Sequence, residues 1–121
     1  MEFIKKDSIK ILINTGIESH QLIWLQNSQS ERVTITKVHV EPGAKNARHK
    51  HDLSEQIWVA LKGEGQLLLD DGHTLAFQEG DVVRFANGEI HGILNNSAET
   101  LVYIAVTAPP IDFAYAYKAE K

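Results

Sequence analysis

Residues 64–96 read EGQLLLDDGHTLAFQEGDVVRFANGEIHGILNN, a succession of short apolar runs interrupted by turn-forming residues. The turn signals recur at intervals of about eight residues, a spacing typical of a β-sandwich or β-barrel; they are Asp71-Gly72, Gly80-Asp81, Asn87-Gly88 and Asn95-Asn96. The clearest hairpin signal is the Asp-Gly pair, because an Asp-Gly turn matches the twist of two antiparallel strands. No run keeps a helical period for more than about two turns. The stretch therefore predicts an all-β domain.

The same pattern extends outward on both sides of this stretch. Upstream, HQLIWLQ and RVTITKVHVEPG read as two strands joined by a polar turn. SIKILI at residues 8–13 alternates weakly like a strand, and IDFAYAYKAE after the prolines alternates Phe113, Tyr115 and Tyr117. That alternation is typical of an edge strand or of an arm laid on a partner. We predict one domain over residues 1–121, with its barrel core at about 19–108, an N-terminal strand and a C-terminal arm.

Charge and composition exclude several classes of function. The 121 residues include 12 Lys and Arg against 16 Asp and Glu, and the positive residues are scattered rather than gathered in one stripe. Binding to nucleic acid or to an anionic membrane needs such a stripe, so neither partner is expected. The chain has no cysteine, which excludes a disulfide, a thiolate zinc site and a cysteine nucleophile. A bound metal would therefore need nitrogen and oxygen ligands.

Targeting signals are also missing from the sequence. The start, MEFIKKDSIK, is charged and lacks the apolar centre of a signal peptide. The longest apolar run, LVYIAV at residues 101–106, is far too short to span a bilayer. We expect a cytoplasmic protein.

Three of the six histidines have the placement of metal ligands. In an extended segment residues i and i+2 point to the same face, so His49 and His51 would present two imidazoles together. His91 begins another apolar run, and a barrel brings such distant strand positions to one interior point. His20, His39 and His73 have no such partner and are expected to be ordinary partly buried or exposed histidines.

Two spaced patterns resemble the motifs of the cupin family. Gly43, five residues, His49, one residue, His51, three residues, Glu55 and then Gly63 resemble the first cupin motif. The second motif is similar to the series Gly80, Asp81, Ala86, Gly88, His91 and Asn95, with Ala86 where the family usually has proline. The patterns occur in the right order, and the runs around them fit a small single-domain cupin.

The resemblance implies a double-stranded β-helix, or jelly-roll barrel, that holds a divalent metal ion inside. The ligands that it implies are His49, His51, His91 and one oxygen donor. Nickel, iron, manganese and zinc all suit such a nitrogen and oxygen shell, and the ligand set does not choose among them.

The fourth ligand is either Glu55 or Gln56. The distance from His51 permits both, whereas counting back from Gly63 by the family's usual spacing arrives at Gln56. Strand alternation makes the choice exclusive, because an inward Gln56 takes Trp58 inward with it and leaves Glu55 outside. We favour Gln56 and retain Glu55 as the alternative. A neutral amide would leave the site with a formal charge of +2 rather than +1, and hence a stronger Lewis acid.

Other residues are expected only to line the pocket, and the candidates are Trp58, Arg84 and Tyr103. No nucleophile, phosphate-binding loop or dinucleotide fingerprint is present, so catalysis would depend on the metal.

Two functions follow from the resemblance. The first is a metalloenzyme of isomerase, lyase, cyclase or dioxygenase type, acting on a small oxygen-rich molecule such as a sugar acid or keto acid. The alternative is a non-catalytic module that binds or senses a small ligand, because a fold does not fix a function. Small single-domain cupins usually pair, and edge strands are expected at both ends of this chain, so we also predict a homodimer.

Overall fold

A computed structural model describes the whole chain, Met1–Lys121, as eleven β-strands with no α-helix. The strands are β1 (Lys10–Asn14), β2 (Ile17–Ile23), β3 (Thr34–Val40), β4 (Lys45–His49), β5 (Glu55–Lys62), β6 (Glu64–Leu68), β7 (Thr74–Gln78), β8 (Val82–Phe85), β9 (His91–Leu94), β10 (Leu101–Ala108) and β11 (Ala119–Glu120). Three short 3₁₀ turns complete the structure, at Lys6–Ser8, Asp70–Gly72 and Phe113–Ala116. The all-β prediction is confirmed.

The strands form two antiparallel sheets. The larger has the order β11-β1-β2-β3-β10-β5-β8, and the smaller has the order β4-β9-β6-β7. In both sheets a late strand lies between two earlier ones: β10 separates β3 from β5, and β9 separates β4 from β6. These crossovers give the double-stranded β-helix, and they place β4 directly beside β9.

The core lies between the two sheets and is built by strict alternation along the central strands. Every second residue of β10 from Leu101 to Thr107 is buried, and so is every second residue of β5 from Gln56 to Ala60. The large sheet contributes Trp58 and Tyr103 to a cluster completed by residues of the small sheet, among them Leu67, Phe77 and Ile93. Apolar burial of this kind is the main source of stability in such a barrel.

Two local predictions from the sequence are confirmed. The chain reverses between β6 and β7 at Asp71 and Gly72, whose φ angles of 55° and 73° both lie in the left-handed region. Two successive positive φ angles are what a tight hairpin turn requires, and this explains the Asp-Gly pair. Most of the weakly alternating SIKILI segment lies in β1, which pairs with β2.

The edge strand predicted for the C-terminal segment is confirmed only at its end, since the alternating residues Phe113, Tyr115 and Tyr117 do not form a strand. Phe113–Ala116 forms a 3₁₀ turn, and only Ala119–Glu120 is extended, paired with β1 of the same chain. The turn forms because the Asp112 carboxylate accepts a hydrogen bond from the backbone N–H of Ala114, at 3.0 Å. The segment therefore lies on its own barrel.

No helix of the protein has the length and apolar character needed to cross a membrane.

The homodimer remains a prediction, and the outer face of the large sheet is compatible with it. The residues of β10 and β5 that alternate outward are mostly aliphatic and partly exposed: Val102, Ile104, Val106, Ile57, Val59 and Leu61. Light scattering is expected to give a mass of twice the 13.5 kDa of one chain. A mass of one chain at micromolar concentration would contradict the prediction.

Candidate metal centre

Three histidines converge where β4 ends and β9 begins. His49 is the last residue of β4, His91 is the first of β9, and the two are directly opposed in the strand pairing. His51 follows two residues after β4. The ring centres lie 5.0 Å apart for His49 and His51, 4.5 Å for His49 and His91, and 5.3 Å for His51 and His91. One ring nitrogen from each lies within 4.8 Å of the others, so a single ion has access to all three.

Backbone carbonyls set the tautomers of two of these rings. The Nδ1 atom of His49 is 2.7 Å from the carbonyl oxygen of Ala47, and that of His91 is 3.0 Å from the carbonyl oxygen of Glu89. A carbonyl only accepts hydrogen bonds, so both Nδ1 atoms carry the proton and each Nε2 keeps a free lone pair. This is the arrangement that orients histidine for a metal.

Buried nitrogens without partners show that the residues fit a cation. The Nε2 atoms of His51 and His91 are buried and have no hydrogen-bond partner. Leaving a buried acceptor unsatisfied costs about 1–3 kcal/mol. A divalent ion bound by the cluster would accept these lone pairs, so the donor set suits the metal that the resemblance implies.

Burial keeps His91 in the neutral form that a metal needs. The pKa of His91 is lowered to about 4, chiefly because burial desolvates the ring; the hydrogen bond to the Glu89 carbonyl opposes this shift, and the positive charges of His49 and His51 contribute to it. The ring stacks on Phe85 with a centre-to-centre distance of 4.5 Å and contacts Trp58 edge-on at 5.6 Å. Burial, and then His49, also lowers the pKa of His51. Both side chains thus remain unprotonated near neutral pH.

Gln56 faces the barrel interior and Glu55 faces outward, as the count back from Gly63 indicates. Gln56 is buried, its Nε2 donates to the Thr107 hydroxyl at 2.9 Å, and Trp58 Nε1 donates to its Oε1 at 3.1 Å. An indole N–H only donates, which fixes the amide orientation, and Oε1 keeps a second lone pair. Glu55 lies on the outer face of the sheet and forms an ion pair with Arg84 at 3.1 Å.

Two of the three histidines border a pocket of about 310 Å³ between the sheets, and His91 is not among its lining residues. His49, His51 and Gln56 line it, and so do the two predicted aromatic residues Trp58 and Tyr103. The prediction for Arg84 is wrong: it alternates outward on β8, opposite Ile57, and its guanidinium pairs with Glu55. No Asp or Glu lines the pocket, so its wall carries no negative charge.

Two features escape the sequence analysis. The C-terminal 3₁₀ turn brings Phe113, Tyr115 and Tyr117 to the pocket wall, although nothing in the local sequence shows which face of the barrel the turn covers. His20 and His39, which were expected to have no partner, stack at 4.5 Å on the outer face of β2 and β3. The strand alternation places both of them outward, but only the pairing register brings them together.

The His20–His39 pair predicts a pH-dependent stability. Burial lowers the pKa of His39, as do the positive charges of His20, Lys37 and Lys121, against the opposing charge of Glu18. As pH falls below the ordinary value of 6.5, the unfolded chain protonates this histidine first, so the free energy of unfolding should fall. Above that pH the residue is neutral in both states and contributes nothing.

The measurement is urea unfolding between pH 7.5 and 5.5 with chelator present. His39→Gln should show a smaller loss of stability over this range than the wild type, and His73→Gln provides a control at an exposed histidine. Identical slopes for His39→Gln and the wild type would contradict the explanation.

The fold and the site together define a double-stranded β-helix with a histidine cluster, and comparison with known proteins agrees. The family described as "Cupin domain" matches residues 36–107, which is more than half of the chain. The protein belongs to the cupin family, as the two motifs predicted.

Two relatives match the chain at low sequence identity. An oxalate-binding protein from Thermotoga maritima is 28% identical over 90 residues, which cover 74% of this chain and 74% of the relative. The pectin degradation protein KdgF from Dickeya dadantii is 25% identical over 83 residues, covering 69% and 70%. The solved structure of KdgF from Halomonas sp. superposes with a TM-score of 0.76 over 93% of this chain and 96% of that one, at 20% identity, and this likeness shows the fold alone.

Proposed function

We propose that the protein binds one divalent metal ion through His49, His51, His91 and Gln56, and that the ion holds a small anionic, oxygen-rich molecule in the pocket. Nickel, iron, manganese and zinc are the candidate ions. The observation that carries the proposal is the convergence of three imidazoles, with two unpartnered Nε2 atoms, beside an open pocket. Glu55 is set aside as the fourth ligand because its carboxylate lies outside the barrel and pairs with Arg84.

The charge of the site favours an anionic ligand. All four proposed protein ligands are neutral, so a bound divalent ion would keep its formal charge of +2. The pocket wall contains no carboxylate. Of the two basic residues that line it, Arg48 directs its guanidinium to the carbonyl oxygens of Leu69 and His73, and Lys50 lies 3.8 Å from Asp52, so the positive field in the pocket would come mainly from the bound ion. A sugar acid or a keto acid, with a carboxylate beside a hydroxyl or carbonyl oxygen, matches this field and offers two oxygens for chelation.

The ion would supply Lewis-acid polarisation of a ligand oxygen, and the chain supplies the surroundings. The Gln56 amide is fixed by two hydrogen bonds, because its Nε2 donates to Thr107 and its Oε1 accepts from Trp58. Tyr103 stacks on Trp58 at 4.5 Å, and burial raises the pKa of its hydroxyl well above the ordinary value. Burial also raises the pKa of Tyr117. Both phenols therefore stay protonated at neutral pH, and they act as walls and hydrogen-bond donors rather than as bases.

Two uses of this site are proposed, and metal-dependent catalysis is preferred. The metal would supply the polarisation needed for isomerisation, ring opening, cyclisation or decarboxylation of a sugar acid or keto acid. With a redox-active ion, the corresponding reaction class is a dioxygenase. The relative named as a pectin degradation protein supports a sugar acid. Simple binding is the second candidate, because no carboxylate base lines the pocket and another relative is named as oxalate-binding.

The first test is the metal content of tag-free protein by elemental mass spectrometry. Wild type should hold about one equivalent per chain, and His49→Ala and His91→Ala should lose nearly all of it. Gln56→Ala should lower metal affinity by at least about 10- to 100-fold, because changing a residue that merely supports a metal ligand already costs that much. Glu55→Ala is the matched control and should retain the metal, because that side chain points out of the barrel.

Two results of that test would contradict the proposal. One is a wild type that takes up no metal even after anaerobic reconstitution. The other is loss of metal from Glu55→Ala with retention in Gln56→Ala, which would reverse the assignment of the fourth ligand.

The second test separates binding from catalysis. Oxalate, pyruvate and D-galacturonate are added to metal-loaded protein in a thermal unfolding screen, since a ligand at 100 times its dissociation constant stabilises by about 2.7 kcal/mol. At least one acid should raise the unfolding temperature of the metal-loaded protein and leave that of chelator-treated protein unchanged. NMR of the same mixtures then shows whether the acid is converted. An equal shift without metal would contradict a role for the ion in ligand binding.

A further inference from the structure

The segment Asp112–Tyr117, here called the C-terminal strap, is fixed along one side of the pocket. Before it, the backbone N–H of Ile111 donates to the Thr34 hydroxyl at 3.2 Å. Within it, Asn14 Nδ2 donates to the Ala116 carbonyl at 2.7 Å. Beyond it, the Lys121 ammonium pairs with Glu18 at 2.7 Å. These bonds connect the strap to β1, β2 and β3, so its aromatic side chains have defined positions.

The strap makes one side of the pocket aromatic. Phe113 is half-buried, and its ring centre lies 5.8 Å from that of His51, at an interplanar angle of 74°. Tyr115 also lines the pocket, yet it is 74% exposed. Tyr117 is the third aromatic residue of the strap that lines the pocket, and it lies beside the Ser19 side chain. A group next to the His51 ring is within reach of a molecule held by a metal at the histidine cluster.

Size and composition of the pocket favour a ligand larger than a two-carbon acid. A volume of about 310 Å³ is at the lower end of the range for pockets that enclose drug-sized molecules. Five of the seventeen lining residues carry a phenyl, phenol or indole ring: Trp58, Tyr103, Phe113, Tyr115 and Tyr117. Flat rings offer large apolar contact area at little entropic cost, and they pack best against other flat carbon skeletons.

We propose that Phe113 and Tyr115 of the C-terminal strap are specificity-determining residues. They select metal-bound acids that carry a ring next to the chelating oxygens over acids that have the chelating oxygens alone. This inference rests on the proposed metal-dependent binding of a small acid, and it assigns the strap a role in ligand choice rather than in metal binding.

The test compares two α-hydroxy acids that chelate identically. Glycolate and mandelate share a carboxylate beside a hydroxyl, and mandelate adds a phenyl ring. Each is titrated calorimetrically into nickel-loaded wild type, for which mandelate should bind about tenfold more tightly, a preference typical of aromatic packing. In Phe113→Ala the affinity for mandelate should fall about five- to tenfold, whereas the affinity for glycolate should not change. Tyr115→Ala should show the same pattern to a smaller extent.

Controls separate ligand contact from a structural role. Phe3→Ala removes a 79% exposed phenylalanine that does not line the pocket, and it should leave both affinities unchanged. Phe113→Leu keeps apolar bulk without a flat face, so it should lose the preference for mandelate even if Phe113→Ala does not fold. The metal content of every variant is measured alongside the titrations.

The possible results distinguish the two proposals. A wild type without metal contradicts the proposed function. A metal-loaded wild type that binds both acids equally, or binds neither, overturns only the role of the strap. A parallel fall of both affinities in Phe113→Leu, with metal retained, also overturns it, because the residue would then support the pocket without choosing its ligand.

Discussion

The antiparallel contact between β4 and β9 is the constraint on which the site depends. These strands are far apart in the sequence, yet their pairing sets His49 directly opposite His91. The backbones approach so closely that a Cβ on Gly92 would lie 2.6 Å from the carbonyl oxygen of Asn46 and 3.0 Å from atoms of Ala47. Only glycine fits at such a distance. The residue that follows the third histidine therefore has no side chain, and this lets the histidines of two strands share one site.

The surroundings of the histidines prepare them for a cation. Burial among Phe85 and Trp58 keeps His91 neutral, and main-chain carbonyls turn the His49 and His91 Nε2 lone pairs away from the backbone. The same indole that contacts His91 also donates to Gln56, so one aromatic side chain orients two of the proposed ligands. A buried polar network of this kind is costly unless every member has a partner, and the unpartnered imidazole nitrogens are its open positions.

Much of this arrangement is readable from the sequence because strands alternate with a period of two. The inward direction of Gln56 follows from Gly63, where the chain has a φ of 80° and a Cβ would lie 2.6 Å from the Thr100 carbonyl oxygen. That close approach makes the glycine a reliable mark of where β5 ends. The spacing of His49, His51 and His91 in the two motifs likewise predicts their convergence.

Other features depend on pairings that the sequence does not encode locally. Arg84 sits in an apolar strand, and only the pairing of Gln56 with Phe85 shows that its neighbour Arg84 points outward. His20 and His39 meet because β2 and β3 pair in one particular register. The C-terminal residues alternate like a strand, but a single capping contact at Asp112 favours a turn, and the position of that turn over the pocket is set by distant partners such as Asn14.

Crystallography of nickel-loaded protein with data collected at the nickel absorption edge tests the proposed metal centre most directly. The arrangement predicts one anomalous peak per chain, about 2.1 Å from the Nε2 atoms of His49, His51 and His91, with the Gln56 Oε1 atom as the fourth protein ligand. A peak at the His20–His39 pair instead, a peak bound through Nδ1 atoms, or no peak at the histidine cluster would contradict it.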